Sequence, residues 1–585
     1  MSEGSSGARR ARTARVPYKW IALSNTTMGV LMSSIDGSIV MISLPAIFDG
    51  IRLDPLDPGN VSFLLWLMMG YLLVTAVLVV AFGRLGDMYG RVRMYNAGFA
   101  VFTAGSIMLA FTPFDGQAGA IWLIVMRLVQ GIGGAFLFAN SQAILTDAFP
   151  PNQRGMALGI NGVAAIAGQF IGLVVGGILA AIDWRLVFFV SVPVGLVGTV
   201  WAYTHLRELA TSRRSRMDWP GNITFGLGLT AVLVGITYGI QPYGNQSTGW
   251  GSPFVVIMLV GGAALLAVFL WIERHVEQPL LRLDLFRIRA FAAGNLATLL
   301  SSIARGGLNF MLVIWLPLHG YDFVDTPLWA GIAMLPLTFG FLISGPVSGV
   351  LSDRFGARPF ATGGMLVVAA AFVALLRLPV DFPYPLFAAL LVTIGIGNGM
   401  FNSPNNAAIM NSVPAHQRGV AAGVRATFLN AGSVVSTGVF FSLMVVGLAG
   451  SLPTTLYRGL VAHAVPVAAA RQLAELPPAA SLFGAMLGYN PMATLLPANV
   501  LHALPPAQAA DLTGRTFFPS LLAAPFGQGL TIVFGAAAAM ALVAAAASVL
   551  RGGRFVSGEV PAAVPAPLAG AGPAARSRLS RLRPR

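Results

Sequence analysis

Charged side chains are scarce in this sequence. Only 10% of its 585 residues are Asp, Glu, Lys or Arg, whereas 56% are hydrophobic and the mean hydropathy is +0.76. So little polar surface cannot cover a water-soluble globule of this size. The composition therefore excludes a soluble globular protein and predicts a polytopic membrane protein.

Lysine, cysteine and histidine are rarer still. Lys19 is the single lysine, so the chain has no phosphate-binding loop of the G-x-x-x-x-G-K type, which excludes an ATP-driven pump in this chain. The absence of cysteine leaves redox compartment and disulfides undetermined. Because the six histidines show no paired ligand spacing, we expect no metal site. The glycines of "GIGGA" and "GIGNG" lie in apolar runs, which favours helix packing over dinucleotide binding.

Apolar runs of membrane-spanning length recur along the whole chain. A hydrocarbon core about 30 Å thick requires about 20 apolar residues in a helix, because only helices and closed barrels satisfy their own backbone there. Fourteen spans are predicted, near residues 20–47, 62–82, 95–113, 119–140, 156–180, 186–205, 221–241, 252–272, 290–317, 328–351, 359–378, 384–409, 420–447 and 526–550. The fold class is therefore expected to be all-α.

Arginine is concentrated in alternate connecting segments. One set holds "ARRARTARVPYK", "GRVR", "LRELATSRRSR", "RLDLFRIR", "DRFGAR" and the tail "RSRLSRLRPR", whereas the other holds "FDGIRLDPLDPGN", "TPFDGQAG", "QPYGNQSTGWG" and "HGYDFVDTP". Since basic residues accumulate in short cytoplasmic loops, both termini are predicted to be cytoplasmic. The net charge of +15 is then matched by anionic lipid headgroups rather than by nucleic acid.

The first apolar run raises the question of a cleaved signal peptide. The run that begins at Trp20 is too long for one and lacks a small-residue cleavage site. We therefore predict that it is the first membrane span of a multi-pass protein of the cell (inner or plasma) membrane.

The chain contains an internal repeat. "GRLGDMYGR" from residue 83 matches "GVLSDRFGAR" from residue 349, and the 31 residues from 130 align without gaps to those from 394, with 10 identities. The offsets of 266 and 264 predict two related bundles of six helices with a two-helix insert between them.

Five segments follow from this repeat. They are a basic cytoplasmic N-terminus (1–19), an N-terminal six-helix bundle (20–205), a linker with two inserted helices (206–289), a C-terminal bundle (290–550) and a basic, disordered cytoplasmic tail (551–585). The C-terminal bundle includes a long segment, 448–525, expected on the extracellular side.

An ordered set of motifs resembles the fourteen-helix drug:proton antiporter branch of the major facilitator superfamily. The motifs are "IDGSIVMISLPAI", "GRLGDMYGRVR", "RLVQGIGGA", "GQFIGLVVGG", "DWRLVFFVSVPVG", "EQPLLRLDLFRIRAF" and "PLWAGIAMLP". The resemblance covers residues from about 20 to 550. It implies the major facilitator fold and export of antiseptics, dyes and antibiotics.

The charged motif after the second span is expected to act as a conformational latch. The latch residues are Gly83, Asp87, Gly90 and Arg91, with a second copy at Gly349, Asp353, Gly356 and Arg358. Glycines allow a tight turn and close helix approach, while Asp87 is expected to cap a helix N-terminus or to pair with Arg91 or Arg154. The resemblance implies that such pairs form in one state and break in the other. The alternative is that the arginines only fix topology.

Three charged residues are placed deep inside spans. Asp36 lies about 16 Å, Arg127 about 12 Å and Arg305 about 18 Å from the outer ends of their helices at 1.5 Å per residue. Embedded charges are costly unless they are paired or face a water-filled cavity. The resemblance implies that the helix 1 acid and the helix 4 arginine line a central cavity and couple proton movement to transport. Because helix 9 is the duplicate of helix 1, Arg305 is expected to face the same cavity. A purely structural ion pair, and pairing of Arg305 with helix carbonyls, are the alternatives.

The fifth span carries a glycine face. Gly168, Gly172, Gly176 and Gly177 match the antiporter motif of the resembled family, which implies close packing of the bundles and a sealed cytoplasmic side. Leu173 stands where that motif has proline, which leaves the direction of transport open. A plain packing helix is the alternative.

We therefore expect a secondary active exporter and not an enzyme. It would move amphipathic small molecules by alternating access, with the proton gradient as its energy source and no cofactor. Its expected partners are the lipid bilayer, the substrate and protons, with no nucleic acid, and it is expected to be a monomer. A proton-coupled importer or symporter, and a non-transporting receptor or scaffold, remain alternatives.

The segment 448–525 is predicted to be partly helical. Its apolar stretch from Leu482 to Leu496 has about 15 residues and contains Pro491, which is short for a span. A fifteenth span would also move the basic tail outside. We expect an extracellular element lying on the outer mouth or leaflet, with Ser481 accessible from outside; docking of a partner and an undocked loop are the alternatives.

Overall fold

The computed structural model describes most of the chain. The described ranges are residues 17–53, 60–150, 153–209, 218–239, 248–276, 283–306, 332–379, 382–414, 418–476, 492–496, 498–514 and 517–551, with a few single positions between them. The N-terminal residues before Pro17, the tail after Arg551, the segment "HGYDFVDTP" and four residues of "PLWAGIAMLP" (327, 328, 330 and 331) lie outside the described residues.

Helices make up the regular structure of these ranges. In the N-terminal half and the insert they are α1 (Tyr18–Gly50), α2 (Val61–Tyr89), α3 (Arg91–Ala110), α4 (Gly116–Ala148), α5 (Arg154–Ile182), α6 (Leu186–Phe189), α7 (Ser191–His205), α8 (Trp219–Gly239) and α9 (Pro253–His275). A 3₁₀-helix, Leu283–Arg287, leads into the second half. There the helices are α10 (Arg289–Arg305), α11 (Leu335–Phe355), α12 (Ala357–Leu375), α13 (Tyr384–Asn411), α14 (Arg418–Ala449), α15 (Leu452–Ala462), α16 (Val467–Ala474), α17 (Met492–Leu495), α18 (Ala498–Ala503), α19 (Pro506–Thr513) and α20 (Phe517–Val549).

Each of the fourteen predicted spans coincides with helix over the residues that the structure describes. Eleven helices are long and apolar enough to cross a membrane, or twelve if the two parts of α1 count as one span. The other two are α3, where arginines and polar residues lower the hydropathy, and α10, which has only 17 residues and ends at Arg305. The prediction of an all-α polytopic membrane protein is confirmed.

The helices pack as two bundles joined along a seam. In the first bundle α1 packs on α5, and α4 lies between α2 and α3; in the second, α13 lies between α11 and α12, and α20 contacts α10, α12 and α14. The bundles meet where α14 packs on α2 and α4, and where α11 contacts α5. The Thr427 hydroxyl, for example, donates a hydrogen bond to the Ala76 carbonyl at 3.3 Å across this seam.

The first span is bent. Its parts Tyr18–Val40 and Ile42–Gly50 form an angle of 63°. Pro45 explains the bend, because proline has no N–H to donate to the carbonyl of residue 41 and its ring clashes with that carbonyl. The bend lies one and a half turns beyond Asp36.

The segment 448–525 forms short helices, and they are docked. Leu452, Leu456 and Leu460, at helical spacing on α15, are fully buried in the same apolar cluster as Phe518 and Leu522 of α20. In the described part of the segment the longest helix before α20 is α15, with 11 residues, which is too short for a span. The alternative of an undocked loop is therefore wrong for the described residues. Residues 483–489, in the middle of the apolar stretch, lie outside the description.

Candidate functional site

A buried cluster of polar side chains joins three helices of the N-terminal bundle. Arg127 of α4 forms an ion pair with the Oδ2 atom of Asp36 on α1. The amide Nε2 of Gln130 donates to Asp36 Oδ1 at 2.7 Å and to the Ser106 hydroxyl of α3 at 2.8 Å. Its Oε1 accepts from Arg127 Nη1 at 2.6 Å. Protein side chains thus donate to both carboxylate oxygens of Asp36.

An aromatic ring covers the arginine. The Arg127 guanidinium carbon lies 4.8 Å from the centroid of the Tyr71 ring, which comes from α2. A cation over the face of an aromatic ring is attracted by the ring quadrupole, and more strongly where water is excluded. Four helices therefore contribute to one charge-neutral site.

The site is closed in this conformation. Asp36 and Arg127 are 0% and 1% exposed, so they do not face the open cavity that the sequence predicted. The reason is the close approach of neighbouring helices, since α5 lies directly against the Asp36 turn of α1. The site can exchange protons or substrate with solvent only if the helices around it move apart.

Arg305 does not join this cluster. It is the last residue of α10, half-buried, and α10 packs on α13, α14 and α20 of the C-terminal bundle. Among the described residues Arg305 forms neither an ion pair nor a hydrogen bond. The structure therefore does not bring Arg305 to Asp36, and its expected place in a common cavity stays a prediction.

The N-terminal latch is formed. Arg91 pairs with Asp87 at 2.8 Å and with Asp147, at the end of α4, at 2.7 Å. Glu208, which follows α7, accepts hydrogen bonds from the backbone N–H groups of Arg91 and Val92 at 2.9 and 3.0 Å. Its carboxylate thus satisfies two free donors at the N-terminus of α3, where negative charge is favourable.

Only one of the two N-terminal latch glycines makes a turn. Gly90 has φ +107° and links α2 to α3. Gly83, expected at the turn, instead lies inside α2, because the helix continues through the charged motif to Tyr89. A Cβ on Gly83 would lie 3.8 Å from the Ala139 Cβ, so this glycine faces α4 at ordinary contact distance. The expected turn at Gly83 is wrong.

The second latch differs from the first in its described residues. Gly356 makes the turn with φ +86°, whereas Gly349 lies inside α11, where a Cβ would approach the Ser403 hydroxyl to 2.7 Å. Arg358 is exposed, and in the described residues it has no acidic partner. The offset of 266 pairs Arg91 with Ala357, not with Arg358. The side chains of Asp353 and Arg154 lie outside the description.

The glycine face of α5 packs on α1. A Cβ on Gly168 would lie 2.8 Å from the Leu31 carbonyl oxygen, one on Gly172 would lie 2.5 Å from the Ile35 carbonyl oxygen, and one on Gly176 would lie 2.8 Å from Ile39. Gly177 is buried as well. These contacts lie within the N-terminal bundle, so the glycines hold α5 against the Asp36 helix. The resemblance had implied instead that they pack the two bundles together.

Several site residues were not predicted from the sequence. Gln130, Ser106, Tyr71, Asp147 and Glu208 carry no signal of their own, because their roles depend on partners in other helices. Gln130 lies one turn after Arg127, and that spacing is the single hint the sequence offers.

A further buried polar cluster lies in the C-terminal bundle. Arg551 is 4% exposed and donates to Asn405, whose amide nitrogen donates to Thr298 at 2.9 Å. This cluster has no acidic member among the described residues, in contrast to the Asp36 cluster.

The fold is two repeated helical bundles packed along a seam, with a buried charge pair inside the N-terminal bundle. The chain belongs to the Major Facilitator Superfamily, whose family model matches residues 26–225 and 221–437. This is a family of transporters rather than of enzymes, and it confirms the resemblance seen in the motifs.

Relatives and solved structures agree with this assignment. The chain is 30% identical to the riboflavin transporter RibZ of Clostridioides difficile, and the match covers 72% of this chain and 88% of RibZ. It is 27% identical to the tetracenomycin C resistance and export protein of Streptomyces glaucescens, and the match covers 94% of this chain and 95% of that protein. Its fold resembles that of a bacterial homologue of the human lysosomal transporter Spinster, with a TM-score of 0.52, 17% identity and coverage of 92% of this chain and 99% of that one. The proton:xylose symporter XylE gives a TM-score of 0.51 with 15% identity and coverage of 80% and 94%.

Proposed function

We propose that this transporter exports amphipathic small molecules in exchange for protons, by alternating access of a central site between its two bundles. The observation that carries the proposal is the buried pair of Asp36 and Arg127, the acid being completely buried and held by Arg127 and Gln130. A carboxylate that is bound by a cation in one state and released in another is suited to gaining and losing one proton per cycle.

The proposed exchange uses the closed cluster as one intermediate. With Asp36 ionised, its charge is balanced by Arg127, and the bundle is held closed by the ion pair and its hydrogen bonds. When the helices part and the site opens to the acidic side, protonation removes the charge that holds Arg127, so the pair does not re-form and substrate is released. Deprotonation towards the other side restores the pair.

Transport in proteoliposomes tests the coupling. Purified protein is reconstituted with a pH gradient, and uphill movement of a fluorescent substrate is followed with and without an uncoupler. We expect Asp36→Asn to abolish uphill movement, because the amide cannot titrate. Asn also leaves Arg127 without its charge partner, a loss worth about 3–5 kcal/mol for a buried pair, so the double variant Asp36→Asn/Arg127→Gln is the control for folding. Wild-type uphill rates in both variants would refute the role of Asp36.

The charge of the site suggests the class of substrate. Arg127 and, in another state, Arg305 offset Asp36, which penalises multiply cationic molecules. We propose neutral or anionic amphiphiles, and the relatives named for riboflavin and for tetracenomycin C supply the first two compounds to test. Equal transport of a dication and of its neutral analogue, or no change of selectivity in Arg305→Ala, would contradict this preference.

Import is the alternative with support of its own. Leu173 occupies the place of the proline that the antiporter motif carries, and one relative is named a riboflavin transporter without a stated direction. Inverting the pH gradient in the same vesicles separates the two. An exporter accumulates substrate on the acidic side, whereas a symporter accumulates it on the alkaline side.

A further inference from the structure

Arg551 turns inward at the end of a membrane span. It follows the last residue of α20 by two positions, at the end of the C-terminal bundle where Gly356 makes its turn, here called the latch end. The neighbouring Leu550 is 71% exposed, whereas the Arg551 side chain is buried. Long basic side chains near the ends of spans usually extend towards water or headgroups. An arginine that points into the protein instead requires partners there.

The partners of Arg551 among the described residues are too few for its charge. Its Nη2 donates to Oδ1 of Asn405 on α13, whereas its Nε and Nη1 atoms are buried and have no hydrogen-bond partner. No described carboxylate pairs with it. Burial lowers the pKa of Arg551 to about 10, so the guanidinium is still charged at neutral pH. A buried charge without a counter-charge is costly, and so are buried donors without acceptors.

The preceding turn of α20 carries another donor without an acceptor. Ser548 is fully buried, and its hydroxyl has no hydrogen-bond partner. A serine inside a helix can donate to the carbonyl four residues earlier, as the Ser302 hydroxyl does to Thr298 at 2.8 Å, but Ser548 does not. The inner side of this helix end therefore presents a hydroxyl and two guanidinium nitrogens with unused hydrogens.

A second arginine adds to the positive charge of this region. Arg425 of α14 donates to Oδ1 of Asn402 on α13 at 3.2 Å, and its Nε is also buried without a partner. Asn402 and Asn405 are three residues apart, so they are neighbours on the surface of α13. Two guanidinium groups thus approach adjacent asparagines, and no described acid accepts a hydrogen bond from either of them. Such a region attracts anions.

We propose that Arg551 and Ser548 bind a phosphate group, which belongs either to the headgroup of an anionic phospholipid or to a soluble phosphate ion. Phosphate oxygens accept charge-assisted hydrogen bonds from guanidinium N–H groups. Val543 and Leu550, both exposed, mark the outer face of α20 beside this helix end. The charge pattern predicts that this end is cytoplasmic, where anionic lipids are abundant. The inference is independent of the substrate and direction of transport.

Binding is measured on delipidated, full-length protein in detergent. The probes are inorganic phosphate and dioleoyl phosphatidylglycerol, added separately at constant ionic strength, and the affinity is taken from the rise in melting temperature. Arg551→Gln removes the charge and retains a donor for Asn405. Arg354→Gln is the matched control, because Arg354 is exposed at the same end of the bundle and the variant loses the same charge.

At least one probe should bind the unmodified protein. We expect Arg551→Gln to weaken that binding at least tenfold and Ser548→Ala to weaken it several-fold, whereas Arg354→Gln should change it less than twofold. Binding of phosphatidylglycerol alone would identify a lipid headgroup as the ligand, and binding of phosphate alone would identify a soluble ion. Failure of both probes to bind, unchanged binding in Arg551→Gln, or an equal loss in Arg354→Gln overturns the proposal.

Melting temperatures without a probe separate a binding role from a structural one. Because the charge and the hydroxyl lack partners, Arg551→Gln and Ser548→Ala should melt at the same temperature as the unmodified protein or higher. With saturating probe, the unmodified protein should melt above both. Lower melting temperatures for both variants without a probe would show a structural role and overturn the proposal. So would binding that appears only in Glu559→Gln, because the acid of the tail would then occupy the site.

Discussion

Gln130 is the neutral side chain on which the buried acid depends. It donates to Asp36 and Ser106 and accepts from Arg127, so Gln130→Leu leaves the second oxygen of Asp36 without a donor in a dry site. We expect a loss of about 1–3 kcal/mol in the free energy of unfolding, the usual penalty for an unsatisfied buried group. Thermal unfolding of purified protein in detergent measures it. Ser106→Ala is the control, because Gln130 keeps its bond to Asp36, and an equal loss in both variants would contradict the assignment.

The two turn glycines of the latches should differ in their tolerance of alanine. Both have positive φ, +107° at Gly90 and +86° at Gly356, which costs an L-residue about 1–3 kcal/mol. At Gly90 the new Cβ would also lie 2.8 Å from a carboxylate oxygen of Glu208, whereas nothing lies within 4 Å of it at Gly356. Gly90→Ala should therefore lower the melting temperature more than Gly356→Ala. Equal shifts in melting temperature would show that the Glu208 side chain moves aside at no cost in stability.

At the residue scale, the sequence predicted the positions of the buried charged residues better than it predicted their hydrogen-bond partners. The depths of Asp36 and Arg127 followed from the fixed rise of a helix, and the structure brings the two together. Gln130 and Glu208 were missed because the role of a neutral amide in a span, or of an acid in a loop, cannot be predicted until the facing helix is known. Arg305 was expected to face the cavity because its helix is the repeat of the Asp36 helix. In the structure, the described neighbours of its helix belong to the C-terminal bundle.

Helix α5 offers a matched test of close packing. A methyl group on Gly172 would lie 2.5 Å from the Ile35 carbonyl, whereas nothing lies within 4 Å of the same position on Gly162. Gly172→Ala should destabilise the protein by about 1–3 kcal/mol through overpacking. Gly162→Ala should stabilise the helix by about 0.5–1 kcal/mol, because alanine loses less entropy than glycine on folding. Melting curves of the two variants decide it, and a shift in the same direction for both would count against the packing of α5 on α1.

At the element scale, composition located the spans but not their ends. Apolar length determines where a helix crosses the membrane, so the described part of each predicted span coincides with helix. The second span continues seven residues past its predicted end at Phe82, through the charged motif, because nothing in that motif stops a helix before Gly90. The partner of the α5 glycines could not be derived, since a glycine face indicates close approach without naming the neighbour.

For the whole molecule, the position of the docked segment can be tested by labelling. The expectation that Ser481 is accessible is wrong, because it is 2% exposed. Gln508, in contrast, lies exposed on α19. If the segment is extracellular, Gln508→Cys should react with a membrane-impermeant maleimide in intact cells, whereas Ser577→Cys in the tail should react only after lysis. Ser481→Cys should require denaturation. Labelling of Ser577→Cys in intact cells would overturn the fourteen-span topology.

The unequal latches have a consequence for how the two halves evolve. In the second copy, the positions of Arg91, Asp147, Arg127 and Gln130 hold Ala357, Asn411, Leu391 and Ile394. The first half thus carries an ionisable group at three of these four positions, whereas the second half carries none. We therefore expect strict residue requirements at these positions in the first half and looser ones in the second. In a saturation mutagenesis screen for transport, we expect the four N-terminal positions to reject nearly all substitutions and their four counterparts to accept most that preserve volume.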